Sequence, residues 1–221
     1  MLFSTEMVQA ILAGRKTQTR RTKGLHLINS GPDYWEFNGG GIYAKADSSM
    51  NVPITYWFFV FKNTITEEKI QIKCPYGQLG DVFWVRESFF CTKYYEHTPI
   101  FKNKGKYVYK ASDNFIGCHK WKPSIHMPKK AARLFLRIKD IRVERLRDMF
   151  HSDARAEGVD FIEGISGNFY YNYLTLDYGC NELFSFMTLW QKINGEKSWE
   201  ENPWVWVIKF EKIEKPENFL T

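Results

Sequence analysis

Residues 15–21 read Arg15-Lys16-Thr17-Gln18-Thr19-Arg20-Arg21, placing four cations and two threonine hydroxyls in one short stretch without a visible core face. Hydroxyls and cations grouped in this way suit a phosphate-binding loop, which holds a nucleic-acid backbone without chemistry. Lys102, Lys104, Lys106 and Lys110, interleaved with Phe101, Tyr107 and Tyr109, read as a solvated hairpin or as a phosphate-tracking patch with stacking rings. Trp84 offers a flat face to a base or to the core. Arg86 and Glu87 fall on opposite faces of the same strand, and Arg86 is the one expected to reach a cleft. His126, in a proline-bounded loop, is placed either to contact a ligand or to make a structural hydrogen bond. Cys118-His119 with His126 is the nearest approach to a metal-ligand cluster. No CxxC pair accompanies it, and Cys74, Cys91, Cys118 and Cys180 are expected to be reduced thiols. No metal or organic cofactor is expected.

The elements that must position these groups follow from periodicity. A short helix over 6–13 has Ser4 or Thr5 to cap it and Gly14 to end it, with Met7, Ala10 and Ile11 on one face. Residues 82–87 read as a strand. Leu134, Leu136 and Ile138 alternate, then Ile141 and Val143 take the other phase, so a strand over 131–143 carries a bulge near Lys139 or Asp140. A capped helix over 152–158 stops at Gly158. A longer one over 182–193 carries Leu183, Phe186, Met187 and Trp190 at helical spacing. Residues 204–210 are apolar on both faces and read as a central strand, and residues 54–61 as a strand buried on both faces. Strands outnumber helices and few are joined by helical crossovers. The expected class is therefore α+β, mostly β: an antiparallel barrel with short flanking helices.

At 221 residues the chain fits one domain, expected to span 1–221 with insertions near 22–73 and 91–120. A chain of this size buries roughly 70% of its unfolded surface, so a real core is required. Aromatic residues are 17% of the total, which favours pleated surfaces, and most of these rings belong in the core. A formal net charge of +6 is compatible with a polyanionic partner without requiring one. The first residues lack a charged segment followed by an apolar run, and the apolar stretch over 56–61 is too short to span a bilayer. A cytoplasmic protein with no membrane partner is expected.

Several blocks together resemble the ASCH family of PUA-like β-barrels. They are Gly14-Arg15-Lys16-Thr17-Gln18-Thr19-Arg20 with the helix before it; Gly77-Gln78-Leu79-Gly80-Asp81-Val82-Phe83-Trp84-Val85-Arg86-Glu87; Trp121-Lys122-Pro123-Ser124-Ile125-His126-Met127-Pro128; Asp153-Ala154-Arg155-Ala156-Glu157-Gly158; and Trp204-Val205-Trp206-Val207-Ile208. The pattern is similar to a longer subgroup carried by bacteriophages and prophages. A smaller bacterial branch consists of 4-acetylcytidine amidohydrolases. Resemblance to it implies a lysine base, a threonine nucleophile three residues later and a distant glutamate as proton donor, matching Lys16, Thr19 and Glu157. Gln18 stands where those enzymes carry an aliphatic residue.

This chemistry is self-consistent. A threonine hydroxyl is a poor nucleophile until a base takes its proton. A lysine serves as that base only when burial or nearby cations lower its pKa, and Arg15, Arg20 and Arg21 flank Lys16. In a regular strand residues three apart point to opposite faces, so Lys16 and Thr19 converge only if the segment is bent. The expected function is an amidohydrolase-like enzyme acting on an N-acylated nucleobase, nucleoside or nucleic acid. Arg20, Arg21, Trp84, Arg86 and His126 are expected to hold the substrate. The alternatives are a non-catalytic RNA- or DNA-binding module, with RNA ahead of DNA, a ribonuclease, and a phage-borne effector that binds a host protein.

Overall fold

Trp204-Val205-Trp206-Val207-Ile208, five consecutive residues with large apolar side chains on both sides of the backbone, cannot lie at a surface, and the strand they begin organises the molecule. The computed structural model describes residues 1–45, 54–92, 107–113 and 120–219. The first half of the chain runs through α1 (Thr5–Leu12), β1 (Gln18–Arg21), α2 (His26–Asn29), β2 (Trp35–Lys45), β3 (Ile54–Asn63) and β4 (Lys69–Lys73). Next come β5 (Val82–Trp84), β6 (Phe89–Cys91), β7 (Tyr107–Tyr109) and β8 (Phe135–Arg145). The last part contains α3 (His151–Ala156), β9 (Phe161–Gly164), β10 (Gly167–Asn172), β11 (Asp177–Cys180), α4 (Glu182–Asn194) and β12 (Trp204–Ile213). The class is α+β with strands in the majority.

The principal sheet has the order β1-β12-β8-β5, is antiparallel throughout and curls into a half-barrel. β12 is therefore paired on both sides, as its composition requires. Val205 and Val207 pack into one core with Phe3, Met7, Ile11 and Phe186. Trp204, Trp206 and Ile208 pack into a second with Leu25, Ile28, Phe59 and Phe61. The two cores bury opposite faces of one strand. β8 pairs with β12 until Lys209 faces Asp140 and Phe210 faces Ile138, so Lys139 is the extra residue of a bulge. That is where the change of hydrophobic phase places it.

The second core is covered by the small sheet β2-β3-β4. β3 is buried on one face only: Phe59 and Phe61 are inside, while Phe58, Val60 and Lys62 between them are half-buried. Reading 54–61 as buried on both faces is thus corrected. β4 is an alternating strand whose Ile70 and Ile72 turn inward, and a single helix-free sheet can cover only one side of β3. The strand expected over 82–87 is shorter and ends at Trp84. Beyond it Glu87 is buried and accepts two hydrogen bonds from Arg133, at 2.8 Å each. Of the lysine-rich stretch, Tyr107 and Tyr109 lie on β7, which pairs with β6, and Lys110 lies in the turn after β7. Phe101, Lys102, Lys104, Lys106, Cys118 and His119 lie outside the described residues. Among the described residues no helix is long and apolar enough to cross a membrane.

Two short helices bring the principal polar groups together. α1 is capped by the Ser4 hydroxyl, which accepts from Met7 N, and it ends before Gly14 at φ +75°. α3 ends at Ala156, with Glu157 as its C-cap, followed by Gly158 at φ +82°. A methyl group on Gly158 would lie 2.6 Å from Lys16 Cβ and 2.9 Å from Ala10 Cβ, whereas one on Gly14 would meet nothing within 4 Å. Only a glycine lets the end of α3 approach the α1–β1 turn so closely. Gly14→Ala is expected to destabilise the protein by about 1 kcal/mol, the left-handed backbone penalty alone. Gly158→Ala adds overpacking and is expected to cost about 3 kcal/mol. Equal losses for the two variants in urea unfolding would show that the close approach contributes nothing.

Candidate functional site

The backbone between α1 and β1 is not a strand at Lys16. Arg15 N and Lys16 N both donate to Ala10 O, at 2.9 and 3.1 Å, which folds the chain back on the helix. Thr17 N then donates to Ala156 O (2.9 Å), and Phe210 N donates to Thr17 O (2.8 Å), tying the turn to α3 and β12 at once. The extended run begins only at Gln18, with Thr19 opposite Ile208 and Arg20 opposite Val207. This turn is the bend that convergence of Lys16 and Thr19 requires. The segment is also far from solvated. Lys16, Gln18, Thr19 and Arg20 are all buried, a correction to the expectation of a polar stretch without a core face. The burial is possible because other side chains supply complementary charge.

Lys16 Nζ donates to the main-chain oxygen of Glu157 (2.7 Å) and to its Oε2 (3.0 Å). The first contact places an ammonium on the carbonyl end of α3, where a cation is favourable. Arg20 Nη1 donates to the other carboxylate oxygen of Glu157 at 3.0 Å, and its Nη2 reaches Glu144 Oε1 at 2.5 Å and Asp153 Oδ2 at 3.6 Å. Arg142 closes the far side, on Glu144 Oε2 at 2.9 Å and Asp153 Oδ1 at 3.3 Å. Gln18 Nε2 donates to Asp153 Oδ1 and O, each at 3.1 Å. Lys16, Arg20 and Arg142 thus face Glu157, Glu144 and Asp153, and at the exposed edge Arg142 also pairs with Asp140 at 3.7 Å.

A cavity of about 380 Å³ adjoins this cluster, with Lys16, Thr19, Arg20 and Glu157 on its polar side. Its apolar side comes from Phe3 and Met7 near the N-terminus and from Phe186, Leu189, Trp190 and Ile193 on α4. Arg21, Lys23 and Tyr76 also border it. β1 is the end strand of its sheet, so groups from both of its faces reach one opening. The Thr19 hydroxyl has no hydrogen-bond partner among the described residues, and the Lys16 ammonium points to Glu157 rather than to it.

Burial is the largest influence on Lys16 and holds its pKa below the usual lysine value. Glu157 works against that, while Arg21 and Arg20 push the same way as burial. Burial alone would raise Asp153, but hydrogen bonds from Phe150 N and Gln18 and the charges of Arg20 and Arg142 hold it below the ordinary carboxylate value. Among the described residues no group of three or more His, Cys, Asp or Glu side chains is arranged to hold a metal ion.

Of the residues singled out in the sequence, Lys16, Thr19, Glu157, Arg20 and Arg21 border one cavity. Arg21 also donates to Leu2 O at 3.1 Å and lies 5.4 Å from the Phe3 ring. Trp84, Arg86 and His126 do not border it. Arg86 stacks on Trp84 at 4.7 Å and donates to Ile125 O, beside His126, which is exposed on a 3-10 turn. Its neighbour Glu87 faces the other way and pairs with Arg133. Glu144, Arg142 and Asp153 were missed as site groups. Asp153 stands four residues before Glu157, a spacing that puts both on one helix face, and that signal was available. Nothing in the sequence joins Glu144 to Arg20 across 124 residues.

Compared with protein-family models, with curated proteins and with solved structures, the chain matches none.

Removing one member of a buried pair strands the other. Glu157→Gln is expected to lower stability at neutral pH by about 3–5 kcal/mol, because the Lys16 ammonium keeps its burial and loses its carboxylate. The variant's Lys16 pKa falls further below that of the unfolded chain, so over that window the unfolded state binds more protons and stability rises with pH. Urea melts at pH 7 and pH 9.5 check this: the deficit must shrink at the higher pH.

Proposed function

We propose that the chain is an ASCH-type, PUA-like protein of the cytoplasm whose cavity hydrolyses the amide of an N-acylated nucleobase or nucleoside. The reading is carried by one observation: Lys16, Thr19 and Glu157, 141 residues apart at the extremes, border a single cavity with Lys16 Nζ 3.0 Å from Glu157 Oε2. The blocks around them resemble the ASCH family, and the curled antiparallel sheet with β12 at its centre suits such a barrel. A volume of about 380 Å³ is at the lower end of what small-molecule sites occupy, roughly 300–1,000 Å³.

In this scheme the Lys16–Glu157 pair shares one proton. Passing it from Nζ to Oε2 leaves a neutral amine and a carboxylic acid, and burial disfavours the ammonium that would resist the transfer. Lys16 Nζ then takes the Thr19 hydroxyl proton as Oγ1 attacks the acyl carbon. As the tetrahedral intermediate collapses, Glu157 gives its proton to the departing amine nitrogen, leaving an acyl ester on Thr19. The proton on Lys16 then passes back to Glu157, the freed amine deprotonates the attacking water, and Glu157 gives its proton to Thr19 Oγ1 as the ester breaks, which releases the acid and restores both the hydroxyl and the ion pair. Phe186 and Trp190 offer flat apolar surface to the base.

A binding-only module or a ribonuclease would rest on Arg21 and Lys23 at the cavity. Inside, the cations that could hold a phosphodiester are already matched one for one by carboxylates, which weighs towards a neutral substrate. Purified protein is expected to release cytidine from 4-acetylcytidine. Lys16→Ala and Thr19→Ala should reduce kcat at least about 1,000-fold, and Glu157→Ala about 100-fold or more. Folded wild-type protein that turns over no N-acylated nucleoside, yet binds oligonucleotides with steep salt dependence, would replace this reading with the binding module.

A further inference from the structure

Arg20 has one of the most constrained side chains in the molecule. Its side chain is fully buried, its Nη1 is committed to Glu157 and its Nη2 to Glu144 and Asp153, and its Nε is sealed without a partner among the described residues. A guanidinium is a rigid planar fork, so whatever fixes one nitrogen aims the other. Glu144 and Asp153 are in turn gripped by Arg142, which sits at the surface end of the cluster with its side chain 31% exposed. The result is a row of alternating sign, from Arg142 through Glu144 and Asp153 to Arg20, Glu157 and Lys16. The remaining charged neighbour of Lys16 on this side is Arg21. Arg15 turns away to Asp160 and the carbonyls of Gly158 and Val159. α4 and the N-terminal segment present uncharged side chains to the cavity, Phe186, Leu189, Trp190 and Phe3 among them.

We propose that Arg142, Glu144 and Asp153 are positioning residues that act through Arg20 to set how tightly Glu157 holds the Lys16 proton. The proposal rests on the hydrolytic reading for its consequence in turnover, but not for its electrostatics. Removing charge from the row has a sign that alternates with position. Glu144→Gln leaves Arg20 less compensated, so Arg20 draws Glu157 away from Lys16 and raises the positive potential there. Arg142→Gln does the reverse: Glu144 and Asp153 lose their outer partner and neutralise Arg20 more fully. Loss of a carboxylate and loss of a cation move Lys16 in opposite directions when the row is coupled to it, whereas a general loosening of the fold relieves its burial and moves it the same way in both variants.

The test follows the Lys16 side-chain amine by carbon–nitrogen NMR through a pH titration, its signal assigned by its absence in Lys16→Arg. The Lys16 midpoint is expected to fall by about half a pH unit in Glu144→Gln and to rise by a few tenths in Arg142→Gln, a partly exposed and so more screened position. Arg142→Lys, which keeps the charge, should return it towards the wild-type value. Shifts of the same sign, or no shift in folded variants, would overturn the proposal. Should Glu144→Gln fail to fold, as loss of a partner to a buried guanidinium can cause, the Arg142→Gln and Arg142→Lys pair decides alone. The same variants assayed on 4-acetylcytidine separate the two claims. Opposite NMR shifts in a protein without turnover would sustain the charge row and sink the hydrolytic reading; turnover with unmoved midpoints would do the opposite.

Discussion

The side chains of Lys16, Arg20 and Glu157 are almost wholly buried against one another, and the arrangement of much of the chain answers the demands of those charges. An ammonium and a guanidinium that are both more than nine-tenths buried are tolerable only where carboxylates meet them at hydrogen-bonding distance. Meeting that condition requires four segments far apart in sequence: the α1–β1 turn, the β8 strand that carries Arg142 and Glu144, the α3 helix with Asp153 and Glu157, and the β12 strand that fixes the register of β1. Gly158 makes the joint possible, since a Cβ there would come within 2.6 Å of Lys16 Cβ.

The apolar architecture serves the same end. β12 divides the interior into two cores, one closed by α1 and α4 and the other by the β2-β3-β4 sheet. Among the described residues β1 pairs on its β12 side alone, so the charged residues it carries lie where the sheet ends. The helix α4 packs Phe186 and Trp190 towards the first core and at the same time forms the apolar side of the cavity. One wall of the cavity is therefore part of the core, which keeps it preformed. Arg20 lies 5.8 Å from the Phe186 ring and Lys16 5.8 Å from that of Phe3, so the polar and apolar sides meet through cation–ring contacts.

Several elements were legible because their signals are local. The cap and stop of α1, the glycine after α3, the helical spacing along α4 and the double-faced apolar run of β12 each depend on side chains within a few residues of one another. The bulge at Lys139 showed as a change of phase in β8. β3 was misread because a run of aromatic residues looks alike whether one face or both are covered, and only the partner β4 decides that. The α1–β1 segment was misread for a related reason. Its charges look solvated until the carboxylates that neutralise them arrive from β8 and α3.

The sequence by itself determined the main secondary elements, the class of fold and the identity of the groups able to do chemistry at the start of β1, since these rest on periodicity, turn residues and residue type. What only the tertiary structure decided is which charges meet. Glu144 and Arg142 lie within an ordinary strand pattern, and nothing local distinguishes them from a solvated face. Whether Trp84, Arg86 and His126 join the cavity was equally out of reach, because side-chain direction beyond a strand's end depends on the loop it packs against. Those long-range juxtapositions follow from the pairing of β1, β12 and β8 and from the close approach of α3 to Lys16, and burial then converts opposite charges that would ignore one another in water into a single coupled site.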